Sequence, residues 1–156
     1  VAPALLVAMA VEAAWGLASP RGLVAVAGGA LFVASAVTRL GLYTAYDSDA
    51  AETEGVQTTL AATIIGAAVL AGFTAPVVLV PLVYLLAGLM LAPITYPDLH
   101  AQDAVVMGIV QAAAILLAGR MGRRLVGSIG EGLAYGLLFL SLAYLFLGPR
   151  FYWRRD

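Results

Sequence analysis

The chain has no cysteine, no lysine and a single histidine, His100. Without cysteine, disulfides and thiolate metal sites are excluded, and His100 alone cannot build a histidine metal site. Charge is scarce as well: 11% of residues are charged, all eight basic residues are Arg, and the nine acidic ones leave a net charge of −1. No basic patch with interleaved aromatics points to nucleic acid. G-x-S-x-G, H-E-x-x-H and the phosphate-cradling P-loop are also missing. A Lys-free chain with an acidic loop is the composition of a salt-loving or high-GC organism, which says nothing of mechanism.

What is present is hydrophobic. The chain is 63% apolar, with a mean hydropathy of +0.99, against roughly 45–50% apolar and about 25% charged in a soluble domain. This composition predicts an integral membrane protein forming one domain over residues 1–156. A spanning helix needs about 20 mostly apolar residues, and six runs qualify: Val1–Ala18, Leu23–Tyr43, Gln57–Phe73, Val77–Ile94, Asp103–Gly119 and about Val126–Leu147. They are too long for barrel strands and lack polar–apolar alternation, so the expected fold is all-α, a polytopic bundle of six transmembrane helices. Small residues at Gly28, Gly29, Ala30 and Ala34, and at Gly127, Gly130, Gly132 and Gly136, mark faces where helices can approach closely. The Arg count is four on each side of the membrane, so charge bias gives no orientation. The closing Phe151-Tyr152-Trp153-Arg154-Arg155 has the make-up of an interface anchor. Val1 opens inside an apolar run with no charged segment or cleavage site, so Val1–Ala18 does not resemble a signal peptide, and the natural N-terminus is expected upstream.

Ionisable groups at membrane depth are costly and carry functional hypotheses by default. Glu12 is expected near an interface, Glu131 at a helix start where the dipole favours a carboxylate, and Gln111 bonded to a neighbouring helix. Arg39 stands apart. It sits near the end of its helix, and the next apolar helix opens at Gln57-Thr58-Thr59. A guanidinium offers a planar fork of donors suited to phosphate or carboxylate, and a helix start offers free N–H groups. The two should lie on the same membrane face and could hold a phosphate at headgroup level; the plain alternative is an interface Arg favoured by the helix C-terminus. The acidic loop between them, Asp47, Asp49, Glu52 and Glu54, has a loose spacing without the glycine of a calcium loop and is expected to be a solvated charge run.

Four stretches, in order, resemble the phosphatidylserine synthase branch of the CDP-alcohol phosphatidyltransferases. Val1-Ala2-Pro3-Ala4-Leu5-Leu6 is similar to that family's S-F-G-V-A-P-A-L-L. Arg39-Leu40-Gly41-Leu42-Tyr43 resembles R-L-A-R-F-N, and Gly55-Val56-Gln57-Thr58-Thr59 resembles G-L-P-T-P. Leu89-Met90 with Ile94-Thr95-Tyr96-Pro97 resembles L-M-V-S-x-I-R-Y-P. The resemblance is strongest to archaeal members, the archaetidylserine synthases. It implies transfer of a phosphatidyl or archaetidyl group from a CDP-lipid to L-serine with release of CMP, Mg²⁺ or Mn²⁺ as cofactor, a homodimer, and a cell-membrane enzyme whose site faces the cytoplasm. It also implies that Arg39, Gly55, Thr58 and Thr59 bind the lipid phosphate and that Tyr43 lines the acceptor pocket. The chain departs from the pattern at Leu42, Thr44, Gln57 and Thr95, which leaves the acceptor alcohol open. The family's D-x-x-D-G-x-x-A-R…G-x-x-x-D-x-x-x-D signature does not occur in the sequence. No catalytic or metal-binding residue is therefore assigned in this chain, and the chain alone is expected to be inactive. The alternative reading is a small non-catalytic membrane protein, a transporter subunit or scaffold.

Overall fold

The computed structural model describes residues 1–42, 44–45, 52–97, 108–110, 112–113, 115–117 and 129–152. The fold is helical. In chain order the elements are α1 (Ala2–Trp15), α2 (Pro20–Leu42), β1 (Glu52–Glu54), α3 (Thr58–Leu70), α4 (Pro76–Leu91), β2 (Thr95–Pro97) and α5 (Ile129–Tyr152). Residues 108–110, 112–113 and 115–117, within the expected fifth span, are also helical.

The punctuation of these helices is readable in the sequence. Pro3 lies in the first turn of α1 and Pro76 in that of α4, where the missing N–H costs nothing and the fixed φ suits the helix. Ser19 starts α2: its Oγ accepts from the Gly22 N–H at 3.0 Å and its carbonyl accepts from Leu23 N–H at 2.9 Å. Pro20 follows at the first helical position.

Among the described residues two helices, Pro20–Leu42 and Ile129–Pro149, are long and apolar enough to cross a membrane. The helices in the first, third and fourth expected spans have 14, 13 and 16 residues. At 1.5 Å per residue the shortest reaches only about 20 Å, against a hydrocarbon core of about 30 Å. The apolar runs are longer than the helices because they include the turn residues Ala71–Phe73 and the extended Ala92–Ile94.

α1 and α2 form a hairpin, and α2 runs alongside α4 in the same direction. Tyr84 of α4 donates its hydroxyl to the Val24 carbonyl of α2 at 2.8 Å, and a Cβ on Gly28 would lie 2.6 Å from the Tyr84 ring. Gly28 thus gives the tyrosine its berth, and Gly29 on the adjoining face looks toward Ala4 of α1. In α5 a Cβ at the expected packing glycines Gly132 and Gly136 would meet no atom of the described residues within 4 Å. The first part of α5 touches the α3–α4 turn through an edge-on contact of Tyr135 with Phe73. Its later part reaches β2, where Tyr96 stacks on Tyr144. The bundle therefore has two ends. One carries the α1–α2 turn with Arg21, the start of α4 and the start of α5. The other carries the end of α2 with Arg39, the start of α3 and the β pair.

Candidate functional site at the Arg39 end

Arg39 lies on the inward stripe of α2. The buried positions Gly22, Ala25, Gly28, Phe32, Ser35 and Arg39 recur at intervals of three and four, one face of a helix. Arg39 is only 4% exposed. An Arg is almost never so buried unless it is engaged, and this one does not stand free. Its position is therefore not that of an outward-pointing interface Arg. One turn below it, the Ser35 hydroxyl is buried with no hydrogen-bond partner among the described residues.

The turn into α3 is built from the far side of the fold. Gly55 has φ +81°, a conformation that L side chains rarely adopt. Its N–H donates to the Ile94 carbonyl at 2.7 Å, and the Val56 N–H donates to the Leu89 carbonyl at 3.0 Å. A Cβ at Gly55 would meet the Met90 carbonyl oxygen at 2.5 Å. Just before this turn, β1 pairs antiparallel with β2, Glu52 opposite Pro97, Thr53 opposite Tyr96 and Glu54 opposite Thr95. The second half of the acidic loop is thus an edge of a two-stranded ribbon, which a charge run in the sequence does not announce.

Of the residues expected to bind phosphate, the structure places Arg39, Gly55, Thr58 and Thr59 at this one end. Gly55 is buried, Thr58 half-buried and Thr59 exposed. Because the Gly55 N–H is committed to Ile94, Gly55 acts by shaping the turn rather than by donating to a ligand. Gln57 is the residue before α3, and no side chain caps the helix start. Tyr43, with Asp47 and Asp49 of the acidic loop, lies outside the described residues, as do Gln111 and His100. Glu12 is at the opposite end, where its carboxylate accepts from the Leu17 N–H at 2.6 Å; Glu131 is exposed in the first turn of α5.

Tyr96 was visible in the sequence only as a motif position. It is buried, and its hydroxyl donates to the Leu145 carbonyl at 3.3 Å. Pro149 lies four residues after Leu145 inside α5 and has no N–H to give that carbonyl. The tyrosine supplies the donor that the proline withholds. Burial pushes the Tyr96 phenol above its ordinary value, so it remains a neutral donor at physiological pH. The only hint in the sequence was a proline inside an apolar helix.

Among the described residues no three His, Asp or Glu side chains come close enough to hold a metal ion. The divalent cation implied by the family resemblance does not fit this residue set, so no step through it is derived. What the site offers is an inward guanidinium, a buried hydroxyl one turn away and a helix start without a side-chain cap. Together these are donors suited to an anion. Comparison with models of known protein families, with curated proteins and with solved structures finds no match.

Proposed function

We propose that this chain is the phosphate- and acceptor-binding part of a membrane phosphatidyltransferase of phospholipid synthesis. The reaction is CDP-diacylglycerol or CDP-archaeol plus L-serine giving phosphatidylserine or archaetidylserine plus CMP. The observation that carries this reading is a convergence. Three of the stretches that resemble the family, around Arg39, Gly55–Thr59 and Leu89–Pro97, meet at one end of the bundle, the last two joined directly by the bonds from Gly55 and Val56 to Ile94 and Leu89.

In this reading six segments lie in the bilayer, the shorter helices being extended by their apolar flanks. Outward-facing residues support the membrane placement: Met9 is 71% and Phe139 73% exposed, and Leu23, Val37, Leu40 and Phe146 also face outward. A helix apolar on its outer face needs lipid or protein around it. The Arg39 end faces the cytoplasm, and the enzyme works as a homodimer. Arg39 holds the phosphoryl oxygens, Thr58, Thr59 and the start of α3 add donors, and Tyr43 lines the serine pocket. A permanently charged donor aimed at phosphate oxygens lowers the barrier by stabilising the charge of the transferring group. The aspartates that would hold the metal and take the serine proton are not among these 156 residues.

The test is the complete reading frame. DNA immediately upstream of the Val1 codon is expected to encode the D-x-x-D-G-x-x-A-R and G-x-x-x-D-x-x-x-D segments in frame. The encoded protein, in vesicles with CDP-diacylglycerol, L-serine and Mg²⁺, is expected to release CMP, and Arg39→Glu to slow release by about 100-fold or more. The 156-residue chain alone is expected to release none. A start codon at that place and no aspartate signature would overturn the enzyme reading in favour of a non-catalytic membrane protein. Undiminished turnover in Arg39→Glu would remove Arg39 from the site.

A further inference from the structure

The opposite end of the bundle carries a second cationic feature that the reaction does not use. Trp15 at the end of α1, Arg21 and Val24 at the start of α2, and Val77, Val80 and Pro81 of α4 line an open groove of about 500 Å³. That is within the roughly 300–1,000 Å³ of small-molecule sites. Its walls are almost wholly apolar, and Arg21 supplies the one charged group among them. Pro81 stands inside α4 and lines the groove together with Val77, one turn before it. An aliphatic cleft bordered by an arginine and a tryptophan suits a hydrocarbon chain topped by an anion. The indole suits headgroup level, apolar on its body and polar at its N–H. Glu12 is the nearby carboxylate in sequence, and the Leu17 N–H already occupies one of its oxygens.

We propose that this groove binds one anionic phospholipid, its phosphate on Arg21 and one acyl chain along Val24, Val77, Val80 and Pro81. The site lies in the leaflet opposite the Arg39 end and is independent of the phosphotransfer site. It rests only on the membrane placement within the reading above. Charge complementarity selects the occupant: a guanidinium prefers a phosphate with no cation of its own, and a second apolar helix would leave Arg21 without a counter-charge.

Trp15 is the reporter. The chain carries two tryptophans, so Trp153→Phe leaves Trp15 alone. This variant is reconstituted in phosphatidylcholine vesicles containing brominated phosphatidylglycerol, brominated phosphatidylcholine or brominated diacylglycerol. Phosphatidylglycerol is expected to quench Trp15 at about tenfold lower mole fraction than the other two, the scale of one charge-assisted hydrogen bond. Arg21→Ala is expected to abolish the preference, Arg21→Lys to restore part of it, and Val80→Trp, measured by lipid retained in native mass spectrometry, to block the groove. Arg39→Ala is expected to leave quenching unchanged. Equal quenching by all three lipids would overturn the site and leave only a lipid annulus. Absence of quenching by any lipid would overturn the membrane placement as well. Neither result depends on whether the complete protein transfers a phosphatidyl group.

Discussion

The turns at the two ends of the bundle are held by different kinds of contact. At the Arg21 end the bonds of the α1–α2 turn are local: Leu17 N–H to Glu12, Ser19 hydroxyl to the Gly16 carbonyl and Gly22 N–H to Ser19 span only five or three positions, and the Tyr84 hydroxyl to Val24 adds one long-range bond above it. At the Arg39 end they are remote: Gly55 and Val56 donate to Ile94 and Leu89, and Tyr96 reaches Leu145 across 49 positions. A local turn forms as soon as its two helices do. A remote one must close long loops first, at an entropic cost that only the assembled fold offsets. The turn into α3, at the end that carries the proposed chemistry, therefore forms only once distant segments have docked.

The largest test of this contrast is Gly55→Val. A β-branched side chain at φ +81° meets backbone on a neighbouring segment, so neither the turn nor its partner can give. Strain of this kind costs about 1–3 kcal/mol before any clash is counted, and a loss of about 3 kcal/mol is expected in thermal or denaturant unfolding of the detergent-solubilised chain. Amide exchange is expected to rise at 55–56 and 94–96 while residues 16–23 keep their protection. Equal loosening at both ends would show that the ends are not separate.

That difference also divides what was legible in the sequence. Helices, their proline starts and the Ser19-Pro20 entry into α2 follow from apolar runs and short-range punctuation, and they were readable. So was the placing of Arg39 and the start of α3 at the same end, since a helix that ends on one face must be followed by one that begins there. Helix lengths were overread, because hydropathy does not separate Ala92-Pro93-Ile94 from the α4 that precedes it. The inward aim of Arg39 was only half legible: spacing from Gly28 and Phe32 puts it on one stripe, but which stripe faces the core is decided by α4. The β1–β2 ribbon and the Tyr96 bond were not legible, because each depends on a partner about 40 or more positions away. The small-residue pattern was right at Gly28, where Tyr84 fills the space, while Gly132 and Gly136 meet no partner among the described residues.

A smaller effect sharpens the remote end. Tyr96→Phe keeps the ring on Tyr144 and removes only the donor to Leu145, leaving a buried carbonyl that Pro149 cannot satisfy. The expected loss is about 1 kcal/mol. Pro149→Ala restores an N–H four residues on, so Tyr96→Phe in that background is expected to cost less than half as much. An additive cycle would show that the hydroxyl and the proline are not coupled. The same group sets a pH limit. Its folded pKa is raised, so the folded state keeps a proton that the unfolded chain releases above about pH 10. Stability is then unaffected below that pH and falls as pH rises beyond it. Tyr96→Phe is expected to flatten that fall.

The smallest effect belongs to the local end. Ser19→Ala removes the acceptor of the Gly22 N–H and the donor to the Gly16 carbonyl. Pro20 has no N–H to satisfy and Leu23 bonds to the Ser19 backbone, so the hydroxyl accepts from a single part-buried donor of the first turn, the Gly22 N–H. A cap of this kind is worth about 1 kcal/mol or less, and Ser19→Gly should cost only a few tenths, since glycine also tolerates the cap conformation. Exchange is expected to quicken at 16–23 alone, with the bonds of Gly55, Val56 and Tyr96 unchanged. If Ser19→Ala instead loosened the Arg39 end, the α1–α2 hairpin would be transmitting its state along the 23 residues of α2, and the local turn would be part of the Arg39 end's support.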